Sequence, residues 1–159
     1  TYRLDGGLLR APEMEEAEGF RAEDFRLQPV QVARWGPLVF ACLDPKAPPL
    51  AHFLDDIPRR AERFRAETMR HVMRKSWEVA CNWKVYVDNY LEGYHLPVVH
   101  PGLHRELDYD QYRVEPHRYW SLQHAPLRAA SAHAPDRTYV ATETETDAQY
   151  YWLFPNVML

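Results

Sequence analysis

Glu92, His95 and His100 place one carboxylate and two imidazoles inside the stretch Cys81 to Pro101, CNWKVYVDNYLEGYHLPVVHP. Two histidines with a carboxylate suit ferrous iron with positions left open for oxygen. The same set suits a hydrolytic zinc, and spacing does not choose between them. Glu92 and His95 also form a Glu-x-x-His pair, a way for a helix to present metal ligands. Alternatively, Glu92 orients His95 through its second ring nitrogen without touching a metal. The plainest reading is a pair of hydrogen-bonded core histidines beside a bend.

A helix over residues 82–95 would align Asp88, Glu92 and His95 on one stripe, at about 100° per residue. Asn89 falls on the far side of Glu92, one turn before it. Trp83, Val87, Tyr90, Leu91 and Tyr94 share another face, and Val85 and Tyr86 add apolar surface, so the helix is expected to be buried. Buried carboxylates and imidazoles are costly unless paired or metal-bound, which makes the polar stripe a candidate site. Pro97 disfavours helical geometry in the residue before it and should end the helix near His95 or Leu96. On an unbroken helix, residues five apart diverge by about 140°. The break is therefore what would let His95 and His100 converge. Pro101 suits the first position of a further helix, from about Gly102 to Leu107, with His100 as its cap.

Other candidates are weaker. His104 follows His100 by four and could share a helix face with it, which would make His95, His100 and His104 a zinc set. His52, His71, His117, His124 and His133 have no second ligand at a recognisable spacing. Cys42 and Cys81 are far apart and read as reduced core residues of an intracellular protein, not as a disulfide or a nucleophile. There is no Gly-rich phosphate loop, G-x-S-x-G elbow or C-x-x-C pair.

The elements that must position these residues read as α+β. Tyr2 to Leu9 is expected to be a hairpin turning at Asp5-Gly6-Gly7. Leu27 to Leu43 holds two strands around Trp35-Gly36-Pro37. The proline-rich run 44–50 reads as a linker, dividing a domain at 1–45 from another at 46–159. Residues 51–67 carry helical periodicity. Met69 to Ala80 alternates like a strand. Tyr112 to Leu127 and Thr138 to Phe154 read as an antiparallel sheet, joined by a loop over 129–135. Tyr119, Trp120, Tyr150, Tyr151 and Trp152 are expected to be core, with pocket lining as the alternative. The 159 residues are 46% hydrophobic with a net charge of −4, enough for a core and unsuited to nucleic acid or an anionic membrane. No apolar run reaches membrane-spanning length.

Beyond the residues themselves, NWKVYVDNYLEGYHLPVVHP resembles the mononuclear-iron segment of the Rieske non-haem iron oxygenase α subunits. The shared pattern is Asn-Trp-Lys, an acid-Asn pair, a carboxylate three residues before the His of Tyr-His, and a second His five residues later. TYRLDGGLLRAPEM and GFRAEDFRLQPVQVARWGPLVFACLDP resemble the end of the family's Rieske domain, so the likeness covers roughly residues 1–110. It implies that His95 and His100 are ligands of a catalytic Fe(II). It also implies that Glu92 links that iron to a neighbouring subunit's Rieske cluster, and that Asn89 lies near the iron. A glutamate at this point is closer to the branch acting on quaternary amines than to aromatic-ring dioxygenases. That branch often has cysteines where this chain has Gly93 and Leu96.

The resemblance further implies a helix-grip catalytic domain following the remainder of a Rieske domain, and O₂ chemistry on a small aromatic or quaternary-amine substrate. A ferredoxin or reductase donor and a homotrimer follow from it too, and the lone reduced cysteines add the expectation of a cytoplasmic location. The [2Fe–2S] cysteine-histidine pairs would precede Thr1 and a third iron ligand, an Asp, would follow Leu159. The chain by itself is accordingly expected to be an inactive part of an α subunit. Two rival readings are a zinc hydrolase using His95, His100 and His104, and a non-enzymatic helix-grip ligand-binding module.

Overall fold

The structure, a computed structural model, describes residues 1–14, 16–128, 139 and 146–159. The expected loop over 129–135, His133 and most of 138–145 lie outside the described residues. The chain forms two compact units, Thr1–Arg70 and His71–Leu159. They divide later than the proline-rich run, which falls inside the first unit.

In the first unit, local turn chemistry shapes the backbone. Tyr2 and Leu8 form an antiparallel bridge. Gly6 adopts φ +81°, and the Asp5 side chain accepts from Gly7 N–H at 2.8 Å. β1 (Gln31–Trp35) and β2 (Leu38–Cys42) pair antiparallel, with Trp35 opposite Leu38, around Gly36-Pro37. The helix expected over 51–67 is instead broken into α1 (Leu50–Leu54), α2 (Ile57–Arg60) and two 3₁₀ turns, Glu62–Phe64 and Ala66–Thr68. Pro58 explains the first break. It has no N–H for the Leu54 carbonyl, and in a continuous helix its ring would collide with that carbonyl. Leu54 and Ile57, on either side of the break, are the buried apolar residues of this segment.

Residues 71–82 are exposed and carry no ladder, so the strand expected over Met69–Ala80 is not formed. Alternation prepares two faces, but a strand needs a partner for its backbone groups, and no described strand supplies one.

Next come α3 (Trp83–Tyr90), α4 (Leu96–Val99) and α5 (Pro101–Glu106), then a 3₁₀ turn at Tyr109–Gln111. Asn82 caps α3, its side chain accepting from Lys84 N–H at 3.0 Å. The helix expected over 82–95 thus stops at Tyr90. Pro97 acts four residues back: a continuous helix would need it to donate to the Gly93 carbonyl, which instead accepts from Leu96 N–H at 3.1 Å. Nor is α3 a buried helix. Val87 is its buried residue, while Trp83, Val85 and Tyr86 are exposed.

β3 (Arg113–Pro116), β4 (Trp120–Pro126), β5 (Asp147–Leu153) and β6 (Val157–Met158) form an antiparallel sheet in chain order. Ser121 opposite Trp152, Gln123 opposite Tyr150 and Ala125 opposite Ala148 set the register. Alternation gives the sheet two faces. Ala125, Ala148 and Tyr150 join a core with Leu96 and Leu107 from the helical segment. Trp120, Leu122, Tyr151 and Leu153 are buried on the opposite face. Both units combine antiparallel strands with short helices, an α+β architecture. Cys42 and Cys81 are free but exposed, not core residues. Cys42 ends a two-stranded ribbon and Cys81 belongs to the unpaired run before α3.

Candidate metal centre

The turn between α3 and α4 carries Glu92 and His95, and it brings them together without the shared helix face. The His95 ring nitrogen Nδ1 is hydrogen-bonded to Glu92 Oε1. His95 N–H donates to the other oxygen, Oε2, at 3.3 Å. Both side chains are largely enclosed, 15% exposed for His95 and 24% for Glu92. An imidazole held through Nδ1 presents Nε2 outward, the tautomer control typical of metal-binding histidines.

His100 is the N-cap of α5, and Pro101 opens that helix. Between the two histidines lies the single turn of α4, whose Val98 and Val99 N–H groups donate to the His95 carbonyl at 3.1 and 2.8 Å. The result is an edge-to-face pair of imidazoles with ring centres 5.2 Å apart and planes at 75°. His100 is exposed and His95 is not. This donor set fits two imidazole ligands of one metal ion, with Glu92 behind His95.

Asp88 and Asn89 are exposed on α3. The ring of His104 packs on Tyr109 at 5.1 Å, and among the described residues no three His, Cys, Asp or Glu side chains are grouped to hold a metal ion. The three-histidine zinc set is therefore not formed. His124 lies 3.1 Å from Glu115, and His117 stacks flat on Trp120 at 3.6 Å. Of the sheet aromatics, Trp120 and Tyr151 are core. An open groove of about 270 Å³, lined by Trp77, Val79, Trp83, Tyr86, Val87 and Met158 among others, does not include the Glu92–His95–His100 cluster.

Three contacts around the site have no counterpart in the sequence reading. Tyr90 O–H donates to the carbonyls of Leu159 and Tyr151 at 3.0 and 3.3 Å, tying the end of α3 to the sheet. Gln123, fully buried, donates to the Leu91 carbonyl at 3.4 Å, just before Glu92. Tyr112 lies against Gly93, and burial, followed by the negative charge of Glu92, pushes its phenol up to about 12. All three join residues far apart in the chain, so no spacing rule could have found them.

Comparison with known proteins bears on the same segment. Residues 66–159 match the family model for the ring hydroxylating alpha subunit, catalytic domain. The carnitine monooxygenase oxygenase subunit of Acinetobacter pittii is 30% identical over 99% of this chain and 42% of its own length. Choline monooxygenase of Beta vulgaris, a chloroplastic protein, is 31% identical over 98% of this chain and 35% of its own length. The chain thus spans less than half of these relatives. Among solved structures, the quaternary ammonium Rieske monooxygenase CntA, in complex with an inhibitor, superposes with a TM-score of 0.78. It is 27% identical, over 98% of this chain and 41% of that one. The Glu92–His95–His100 cluster lies inside the matched catalytic-domain segment, and the chain belongs to the ring-hydroxylating alpha subunits of the Rieske oxygenases, a family of oxidoreductases.

Proposed function

We propose that this chain carries two of the protein ligands of a mononuclear Fe(II) centre, His95 and His100, together with the carboxylate that couples this centre to a Rieske [2Fe–2S] cluster. The single observation behind this reading is the hydrogen bond that the Glu92 carboxylate accepts from His95 Nδ1, with the His100 ring beside it. Bound there, Fe(II) supplies the activation of O₂, with electrons arriving from the cluster.

The chain's own residues have distinct tasks in this scheme. Glu92 fixes the His95 tautomer, keeps Nε2 free for the metal and raises the basicity of the ring. Its partly exposed carboxylate is the group that would face a neighbouring subunit, in keeping with the inter-subunit electron transfer named for a solved quaternary ammonium Rieske monooxygenase. His100, at the start of α5, closes the pair from the exposed side. Asn89 is assigned near the iron through the resemblance. The substrate class is a small quaternary amine, following the carnitine and choline monooxygenases among the relatives. A ferredoxin or reductase donor, a homotrimer, a cytoplasmic location and a Rieske domain ending near residue 45 complete the reading.

The test uses the full-length protein. His95→Ala and His100→Ala should each lose mononuclear iron while keeping the [2Fe–2S] spectrum, and with it all O₂-dependent turnover of quaternary amines. Unchanged iron content in both variants rejects the ligand assignment. Glu92→Gln should keep iron and cluster yet slow electron delivery between them by at least about ten-fold. A normal rate would remove the coupling role.

A further inference from the structure

Gly93 sits inside the turn that carries the carboxylate–imidazole pair, directly after Glu92, and it is buried. Its φ is not among the positive values found at Gly6, Gly19 and Gly36. Backbone conformation therefore does not demand a glycine there. Space does. A Cβ built on Gly93 would lie 2.6 Å from both Cε1 and Cζ of Tyr112 and 3.1 Å from Cδ1. Optimal carbon–carbon contact is about 3.5–4.0 Å, so the ring and a side chain at 93 exclude one another.

The Tyr112 ring is itself fixed from outside the turn. Tyr112 immediately precedes β3, and its N–H donates to the Tyr109 carbonyl at 3.0 Å. Its ring lies 5.9 Å from that of Tyr109, which in turn packs on His104. It also packs on the core formed by Leu96, Leu107, Ala125 and Ala148. A side chain anchored to the sheet and to α5 therefore bears on the peptide between Glu92 and His95.

The geometry points to Tyr112 as a positioning residue for the Glu92–His95 pair, with Gly93 as the gap that its ring fills. This rests on the iron-site reading of the pair and extends it. The ring sets how closely the turn approaches the sheet, and so where His95 Nε2 is presented relative to His100. The phenol's hydroxyl is not what does the positioning; the flat ring is.

The experiment measures Co(II) affinity, by competition with a chelator, and the visible ligand-field spectrum of Co(II) in the full-length protein freed of its mononuclear iron. Tyr112→Leu should weaken Co(II) binding by about ten-fold, the loss typical of supporting residues around a metal, and alter the spectrum. Tyr112→Phe, which keeps the ring, should restore both. Because Tyr112→Leu also opens a cavity, Gly93→Ala serves as an independent variant and should show a similar loss. The double variant Gly93→Ala/Tyr112→Leu should recover most of it, since the added methyl then has room. Affinity within two-fold and an unchanged spectrum in both single variants overturn the inference. So does a double variant whose loss is the product of the two single losses. If His95→Ala and His100→Ala bind Co(II) like the parent, the iron-site reading fails and takes this inference with it. If they lose Co(II) while the Tyr112 and Gly93 variants do not, only this inference fails.

Discussion

Tyr90 and Tyr112 keep their phenol protons well beyond the ordinary range, both pushed up to about 12 chiefly by burial. The folded chain holds these protons more tightly than the unfolded chain does, so the linked stability is complete below pH 10 and is lost as pH rises towards 12. Phenolate absorbance followed through an alkaline titration should therefore show these two tyrosines appearing late, together with unfolding and with Tyr150, whose phenol burial also raises. A pair titrating near 10 in a still-folded protein contradicts the burial argument. Asp56 is the opposite case, its carboxyl lowered to about 2 by hydrogen bonds from Arg59 and Arg60. That contribution is present above pH 3.8 and disappears as pH falls through 2, and solvent screening around this partly exposed ion pair keeps it small. At this scale the meeting of Glu92, His95 and His100 was legible in the sequence because it follows from residue type and short spacing. Tyr112 was not, because a ring pressing on a glycine nineteen positions earlier leaves no local trace.

Elements were legible where local chemistry is sufficient to make them. Gly36-Pro37 defines the hairpin of β1 and β2, Asn82 starts α3, and Pro101 opens α5. Asn82→Ala should lower stability by about 1 kcal/mol through loss of the Lys84 N–H partner, read as a shift in thermal midpoint. No shift would mean that α3 holds its first turn by packing alone. Tyr90→Phe, which deletes the bonds to Leu159 and Tyr151, should cost about 0.5–1.5 kcal/mol and loosen the end of α3 in amide exchange. The two expected helices that are broken share a feature. Pro58 and Pro97 have no N–H for the carbonyl four residues before them, at Leu54 and Gly93, and hydrophobic periodicity carries no record of that demand.

At the scale of the whole molecule, secondary structure depends on partners. Met69–Ala80 has the alternation of a strand, yet Val72, Trp77 and Val79 stand exposed because pairing is decided by what lies alongside. The core of the second unit, by contrast, draws Leu107, Ala125 and Ala148 from segments that sequence had read as helix and sheet, and adds Leu96 from a turn it had read as a loop. Leu107 is fully buried at its centre, and Leu107→Ala should cost about 2–5 kcal/mol in the full-length protein. A smaller loss would show that the helices slide inward to fill the space, and the spectrum of bound Co(II) would then shift as well.

The one-turn α4 between His95 and His100 has a consequence for tolerance to change. A helical turn works like a gear tooth, advancing in steps of about 100° and 1.5 Å, with no intermediate setting. Exchanging Val98, which is 83% exposed, alters no step and should leave metal binding intact. Adding or removing one residue there rotates the second imidazole away from the first. Composition in this segment is therefore free to drift while its length is locked.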